Sequence, residues 1–503
     1  MPEGASVAFD QTAIVTALES GDATGEGRPL GRIDTHMSHL FVGEGRVYKL
    51  KRSRRLPFVD MSSLETRRRA CEAELAVNRA LAPALYEAVL PIVRNQAGAI
   101  SVGGVGTTID WVVVMHRFPD GALFDDLAEG GRLTPDLVRD ATAAISSFHA
   151  SQPSRTDIGH AVDYRRIVDG LRRLEADGAA SLGLEPASDL LFGALEHEIA
   201  RLAPTIEARR RAGWTRRGHG DLHLRNICIF DGRVTPFDAL EFDPALATTD
   251  VLYDFAFLLM DLRARGLDGL ANVAMNQYWD LSRQPQDALA LLPLFMALRA
   301  AVRMAVAVEA ADLVQADAYR KLALAVLRPS TPRLLAIGGL SGTGKSTLAA
   351  AIAPRLSGPC GARLLRTDVI RKAAVGAPRA APAASQAYQP EARAAIYTLL
   401  AEQAGEALRA GSSVVADGTF REPTARAQIE AASKGHPFLG LWLKAPASVR
   451  GGRVMARKND ASDATAAIAL EQIEPEGLKA AWRVLDADRT VDRLADDVGA
   501  LLP

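Results

Sequence analysis

The sequence predicts two domains of different class: an α+β, two-lobed domain over residues 1–328, then an α/β domain with a parallel sheet over 329–503. Three observations carry this expectation. At 503 residues the chain is too long for one hydrophobic core, because single cores stop growing at roughly 250–300 residues. Arg328-Pro329-Ser330-Thr331-Pro332 interrupts helical sequence with prolines, which lack a backbone donor and push the preceding residue out of helical conformation. The periodicity also changes there. Upstream, a short strand-rich portion precedes a long helical one; downstream, short apolar strands alternate with helical segments.

In the first domain, Leu40-Phe41-Val42 and Arg46 to Lys51 read as strands joined by the turn Gly43-Glu44-Gly45. Ser63 to Ala82 reads as a helix, with Leu64, Cys71, Leu75, Asn78 and Leu81 at near-helical spacing. Asp110 to Met115 is another strand, Thr134 to His219 is mostly helical, and a further helical block runs from Tyr253 to Leu327. In the second domain the strands are 334–337, 363–366, 413–416 and 438–443. Their alternation with helices argues for a parallel sheet covered on both faces.

Composition narrows the function classes. With 59 basic and 60 acidic residues the net charge is −1, so the bulk balance points to neither nucleic acid nor an anionic membrane. Cys71, Cys228 and Cys360 are too far apart for a metal site or a disulfide framework, which suits a reducing cytoplasm. Met1-Pro2-Glu3-Gly4 does not begin a signal peptide. The apolar stretch Val251 to Met260 is too short to span a bilayer, and Ala288 to Ala307 contains Arg299 and Arg303. Both are expected to be core-facing helices, with no membrane partner.

The sharpest motif is Gly339-Leu340-Ser341-Gly342-Thr343-Gly344-Lys345-Ser346, placed between the strand Arg333 to Gly338 and a helix-forming stretch that opens at Thr347. Strand, glycine-rich turn and helix together make a phosphate-binding loop. The glycines let successive N–H groups face a polyphosphate, and the helix N-terminus adds positive potential. Lys345 would reach the β- and γ-phosphates and Ser346 would ligate Mg²⁺. A nucleoside triphosphate is the implied ligand.

A second motif is His219-Gly220-Asp221-Leu222-His223-Leu224-Arg225-Asn226. An Asp and an Asn five residues apart in a loop can serve one centre, the Asp taking a proton from an attacking hydroxyl and the Asn oxygen ligating a metal. A hairpin through Ile227 to Phe230, the turn Asp231-Gly232, and Val234 would bring Asp238 to the same metal. These residues resemble the aminoglycoside-phosphotransferase-like branch of the protein-kinase-like fold, over roughly residues 30 to 325. The resemblance implies Asp221 as catalytic base and Asn226 and Asp238 as Mg²⁺ ligands. It also implies Lys49 as the phosphate-contacting strand lysine, Glu74 as its helix partner, and Met115 to Phe118 as the hinge cradling adenine. Lys51 shares a strand face with Lys49, and Glu72 lies close to Glu74, so either assignment could shift by one alternation. The pattern departs from the family twice: Thr35-His36-Met37-Ser38-His39 replaces a glycine-rich loop, and Asp238-Ala239-Leu240 replaces Asp-Phe-Gly. The acidic run Glu241, Asp243, Asp250 and Asp254 would either attract a cationic substrate or brace the following helix.

Downstream of the phosphate loop, Thr367-Asp368-Val369-Ile370-Arg371 puts an Asp at the carboxyl end of the second strand, where open α/β sheets hold ligands. Asp368 could take a proton from a substrate hydroxyl, or simply cap a helix; Arg371 would hold charge nearby. The element is similar to that of small P-loop kinases of the gluconate-kinase, zeta-toxin and polynucleotide-kinase type. Asp417, ending its strand before Gly418, fits a metal or water ligand, or a turn. Arg450, Arg453 and Arg457 share a helix face suited to a lid, or to solvent.

The expected function is therefore a bifunctional phosphotransferase using ATP and Mg²⁺ at both sites on small hydroxyl-bearing molecules. Two alternatives remain: one catalytic domain regulated by a nucleotide switch, and a nucleic-acid 5′-end kinase.

Overall fold

A computed structural model describes residues 9–35, 37–56, 59–241, 244–376, 389–455, 478 and 481–501. His36, Asp243 and Arg457 lie outside the described residues. The chain forms two compact units, Met1–His160 with Ala208–Leu258, and Ala161–Glu207 with Leu259–Pro503.

The first unit is built on an antiparallel sheet. Its strands are β1 (Gly31–Asp34), β2 (Ser38–Val42), β3 (Arg46–Lys51), β4 (Tyr86–Arg94), β5 (Ile100–Val102) and β6 (Thr107–His116), in the order β1-β2-β3-β6-β4-β5. Alternation along β3 sends Tyr48 and Leu50 to one face, where they join Phe41, Val112, Val114, Ile14 and Leu18 in a core. Lys49 and Lys51 share the opposite face. That face is covered by helix α1 (Leu64–Leu81), which starts where the Ser63 hydroxyl accepts the Thr66 N–H at 3.1 Å. Its Cys71 packs with Tyr86, Val113, Met115 and Phe237.

The sequence pattern missed β4. Pro91 sits inside it, and proline normally argues against a central strand. Pro91 pairs in register with Trp111, and the neighbouring β5 pairs only with Ile92–Arg94, so the proline lies just beyond the ladder on its other side. The expected hairpin is present, β7 (Ile227–Phe230) against β8 (Arg233–Pro236), with Asp231 and Gly232 both at positive φ as a tight hairpin turn requires. Helix α2 (Pro135–Ser151) belongs to this unit.

Helices α3 (Ala161–Ser181), α4 (Asp189–Arg211), α5 (Val251–Ala264), α6 (Asp268–Ser282), α7 (Leu292–Glu309) and α8 (Leu313–Val326) follow in chain order. Both stretches read as core-facing are so: 251–260 is buried throughout α5, and α7 is largely buried. Arg299 is buried, and Arg303 lies over the Tyr319 ring at 5.8 Å, which accommodates that second cation on an apolar helix.

The second unit contains a five-stranded sheet, β9 (Leu334–Gly339), β10 (Arg363–Arg366), β11 (Val414–Asp417), β12 (Phe438–Lys444) and β13 (Trp482–Asp486), in the order β10-β11-β9-β12-β13. Every pairing is parallel, as the strand–helix alternation predicts. The intervening helices are α9 (Lys345–Ile352), α10 (Thr367–Ala374), α11 (Pro390–Arg409), α12 (Pro423–Ala432), α13 (Ala447–Met455) and α14 (Val491–Leu501). Leu335, Ile337, Val415 and Leu441 of the sheet pack with Leu348, Ile352, Leu494 and Val498 of α9 and α14. The edge strand β13 escaped sequence reading because only Trp482 in it is buried, leaving no apolar run to see.

Candidate active sites

The first site lies where β3, α1 and the loops flanking the β7–β8 hairpin converge. Glu74 is wholly buried; its Oε1 accepts from Lys49 Nζ at 2.8 Å, and its Oε2 is paired with Lys51. Lys49 also bonds Asp238, and Lys51 also bonds Glu241. Both strand lysines thus enter the site. Glu72 does not: it pairs with Arg68 on the exposed helix face at 2.8 Å. Burial pushes the Glu74 carboxyl up, but the two ammonium groups outweigh it and hold it down at about 2. Burial likewise opposes charge on Lys49, yet Asp238 and Glu74 keep it well above the usual lysine range.

Asp221, Asn226 and Asp238 are held by a common set of bonds. Asn226 Nδ2 donates to the Asp221 carboxylate at 3.0 Å and to its carbonyl at 2.9 Å, leaving the amide oxygen for a cation. The Asn226 carbonyl accepts Phe237 N–H at 2.9 Å, which closes the hairpin and sets Asp238 beside it. Asp238 takes φ 61°, a left-handed conformation Asp tolerates. It is pinned there by Tyr86 Oη against its N–H at 3.2 Å and by Asn78 Oδ1 on Ala239 N–H at 2.9 Å. The Asp221 carboxylate remains 41% exposed, open to a substrate, with His223 Nε2 at 3.3 Å. Met115 is buried in the core beneath these loops, and Phe118 packs on Phe237 with ring centroids 5.4 Å apart.

Asp254 organises this loop from behind. Its carboxylate accepts His219 N–H at 2.9 Å, Gly220 N–H at 2.7 Å, and lies 3.0 Å from His149 Nε2. Gly220 has φ 86°, and a Cβ there would meet Leu240 Cβ at 2.7 Å, so only glycine fits. His219 Nε2 is 2.8 Å from the Phe237 carbonyl, so that nitrogen carries the proton, and Nδ1 faces Asp221 N–H at 3.4 Å. Burial lowers the His219 pKa, which keeps this neutral tautomer. Asp250 pairs bidentately with Arg209 at 2.6 and 2.8 Å and caps Leu252 N–H at 2.9 Å. The described members of the acidic run, Glu241, Asp250 and Asp254, are therefore buried bracing groups rather than a lure for cations.

The second site lies at the carboxyl ends of β9, β10 and β11. Gly342 has φ 85°, and a Cβ there would lie 2.4 Å from the Arg450 carbonyl. Gly339 and Gly344 also take positive φ, and Ser341 and Thr343 are buried. Thr343 Oγ1 and Lys345 Nζ both donate to the Leu340 carbonyl at 2.9 Å, while Thr347 is exposed on the first turn of α9. Ser346 Oγ donates to Asp417 Oδ2 at 2.6 Å, and Arg366 Nε lies 3.3 Å from the same oxygen.

Arg371 Nη1 bonds Asp368 Oδ1 at 2.5 Å, one turn along α10. The helix cap is Arg366, so Asp368 sits inside the first turn rather than capping it. Arg453 donates to the Thr343 carbonyl at 3.3 Å and to Ala487 at 3.0 Å, which ties α13 to the phosphate loop. Tyr397 Oη accepts Phe420 N–H at 3.0 Å and lies 2.9 Å from Thr419 Oγ1; burial raises its pKa and keeps it a neutral donor.

Among the described residues, no three His, Cys, Asp or Glu side chains cluster as a metal site. The donor sets are nonetheless suited to Mg²⁺, which is bound through one or two protein oxygens with phosphates and water completing the shell. Asn226 with Asp238, and Ser346 with Asp417, offer that number.

Sequence reasoning did not single out Arg366 or Tyr397, and it read Glu241 and Asp254 only as members of an acidic run, without their partners. The signal for Asp254 was present: a carboxylate within the buried run 251–260 needs a buried partner.

The fold, with the family matches, supports a protein of the phosphotransferase class. Residues 43–286 match the model of the phosphotransferase enzyme family and residues 334–474 that of an AAA domain. The chain is a fusion of an aminoglycoside-phosphotransferase-like domain with a small P-loop kinase domain. An uncharacterized protein of Mycobacterium tuberculosis is 28% identical over 457 residues, 87% of this chain and 88% of that protein. One from Mycobacterium bovis matches to the same extent, 28% over 87% and 88%. Among solved structures, an amicoumacin kinase in complex with AMP-PNP, Ca²⁺ and Ami is 12% identical, with TM-score 0.39 over 62% of this chain and 92% of that one. A sugar kinase from Janibacter sp. is 24% identical, with TM-score 0.25 over 34% of this chain and 95% of that one.

Proposed function

We propose that the chain is a bifunctional, ATP- and Mg²⁺-dependent kinase that phosphorylates hydroxyl groups of small molecules at two sites. What supports this reading is that each domain carries its own base candidate and its own pair of oxygens suited to a cation. In the first site Asp221 takes the proton of the acceptor hydroxyl, Asn226 and Asp238 hold Mg²⁺, and Lys49, set by Glu74, meets the phosphates. In the second, Asp368 takes the proton, Lys345 and the loop amides hold the nucleotide, Ser346 and Asp417 hold Mg²⁺, and Arg371 orients Asp368. Bound Mg²⁺ would neutralise charge on the phosphates. The protein supplies position and electrostatics, and no covalent intermediate is needed. The three cysteines are buried with thiols pushed up to about 12 by burial, so none is a nucleophile, and a reducing cytoplasm suits them.

The experiment is a screen of hydroxyl-bearing metabolites for ATP-dependent phosphorylation by the full chain, by Asp221→Asn and by Asp368→Asn. Two classes of acceptor, each lost in a different variant, are expected. A single class, lost in Asp221→Asn and unaffected by Asp368→Asn, would make the P-loop domain a nucleotide switch instead.

A further inference from the structure

The strand β10 ends the P-loop sheet, so one row of its backbone groups has no neighbouring strand. Helix α6 supplies side chains in its place, although α6 lies within the span 43–286 matched by the phosphotransferase family. Asn272 Nδ2 donates to the carbonyls of Cys360 at 2.7 Å and Ala362 at 3.0 Å. Asn276 Oδ1 accepts Leu364 N–H at 2.7 Å, and its Nδ2 donates to the Ala362 carbonyl at 3.2 Å. Arg363 turns back toward the same helix: it reaches Asp280 at 2.7 Å, Asn276 Oδ1 at 2.9 Å and Gln286 Oε1 at 3.1 Å. Asn272, Asn276 and Asp280 recur every four residues and so form one stripe. The seam is buried, with Arg363 only 4% and Asn276 7% exposed. Leu259–Pro503 accordingly falls within one compact unit.

We propose that α6 is a structural element of the P-loop domain and that Asn276 and Arg363 are positioning residues for the segment 364–371, which carries Arg366, Asp368 and Arg371. Residues 329–503 are then not an autonomous module. A guanidinium left buried without its acceptors is strongly unfavourable, so β10 is not stable in this place without α6. The strand runs without a break from Arg363 into α10, and its far end is in register with Asp417. Loosening its start therefore loosens the acceptor side of the second site while the β9–β12 side keeps its own ladder.

Hydrogen exchange read by mass spectrometry on the full chain tests this, comparing Asn276→Leu, Asp280→Ala and Asp280→Asn with the parent. Asn276→Leu and Asp280→Ala should each speed exchange about tenfold across 360–371 as well as 268–282. Asp280→Asn keeps an acceptor oxygen for Arg363 and should recover most of the protection. Strand 438–444 should stay at the parent rate, which separates lost positioning from global destabilisation. Exchange in 360–371 unchanged while 268–282 speeds up would overturn the proposal, as would equal loosening of 438–444. Should Asn276→Leu fail to fold, the Asp280 pair decides alone.

Discussion

Ser346 donates its hydroxyl to Asp417 Oδ2 at 2.6 Å, across a sequence separation of 71 residues. One residue lies in the first turn of helix α9 and the other closes strand β11, so parallel pairing of β11 with β9 brings a helix-start hydroxyl and a strand-end carboxylate to one point. That is the crevice outside the carboxyl ends of strands where open α/β sheets hold ligands. The hydrogen bond holds the two oxygens together beside the phosphate loop.

Lys345→Ala should abolish nucleotide-dependent turnover at the second site and leave the Asp221 site active. Calorimetric titration of AMP-PNP with Mg²⁺ into the folded variant should lose one binding event and keep the other. Loss of both would show that the two sites are not independent.

Asp221→Asn should lower phosphoryl transfer at the first site by roughly 10²–10⁴-fold, the usual contribution of a general base, with nucleotide affinity retained. The side chain is the same size, and its neighbours Asn226 and His223 can still hydrogen-bond to it. A variant within threefold of the parent kcat would remove Asp221 as the base.

Glu74 makes acid stability a local matter. Its folded carboxyl titrates at about 2 against an ordinary 4.5. A depressed carboxyl contributes stability that is complete above the unfolded value and is lost as pH falls through the folded one. The parent should therefore lose stability between about pH 5 and 2, and Glu74→Gln, weaker at neutral pH, should show a shallower fall over that window. Urea melts at pH 3 and pH 7 for both proteins measure the difference; parallel slopes would count against the pairing.

Asp254→Ala should destabilise the first unit by roughly 2–5 kcal/mol, because the buried N–H of His219 and the part-buried N–H of Gly220 lose their acceptor. Activity at the Asp221 site should fall further than stability alone explains, since the loop carrying the base is no longer held. Thermal unfolding alongside turnover measured well below the melting temperature separates the two effects.

Residues 339–346 and 219–226 were legible in sequence as motifs because their residues lie close along the chain: spaced glycines in one turn, an Asp and an Asn in one loop. The β7–β8 hairpin was equally local, with its Asp231-Gly232 turn visible between apolar runs. Lys49 and Lys51 show where such reading stops. A period of two puts both on one face of β3, and only the packing of α1 shows that Glu74 engages each with a separate oxygen. Strand β4 was hidden by Pro91, which is tolerated because pairing with β5 begins only at Ile92, a tertiary fact that no local pattern announces.

By itself, then, the sequence determined that a phosphotransferase-like domain and a P-loop domain lie on one chain, one in an α+β and one in an α/β setting, because turn glycines and hydrophobic periods are written locally. Tertiary structure alone decided that Asp254 holds the His219–Gly220 backbone and that Asn276 and Arg363 join α6 to the P-loop sheet. Those bonds connect residues 34 and 87 positions apart. A polar side chain in a helix carries no mark of its distant partner; only the requirement that buried donors and acceptors be paired, met once the chain has folded, selects it.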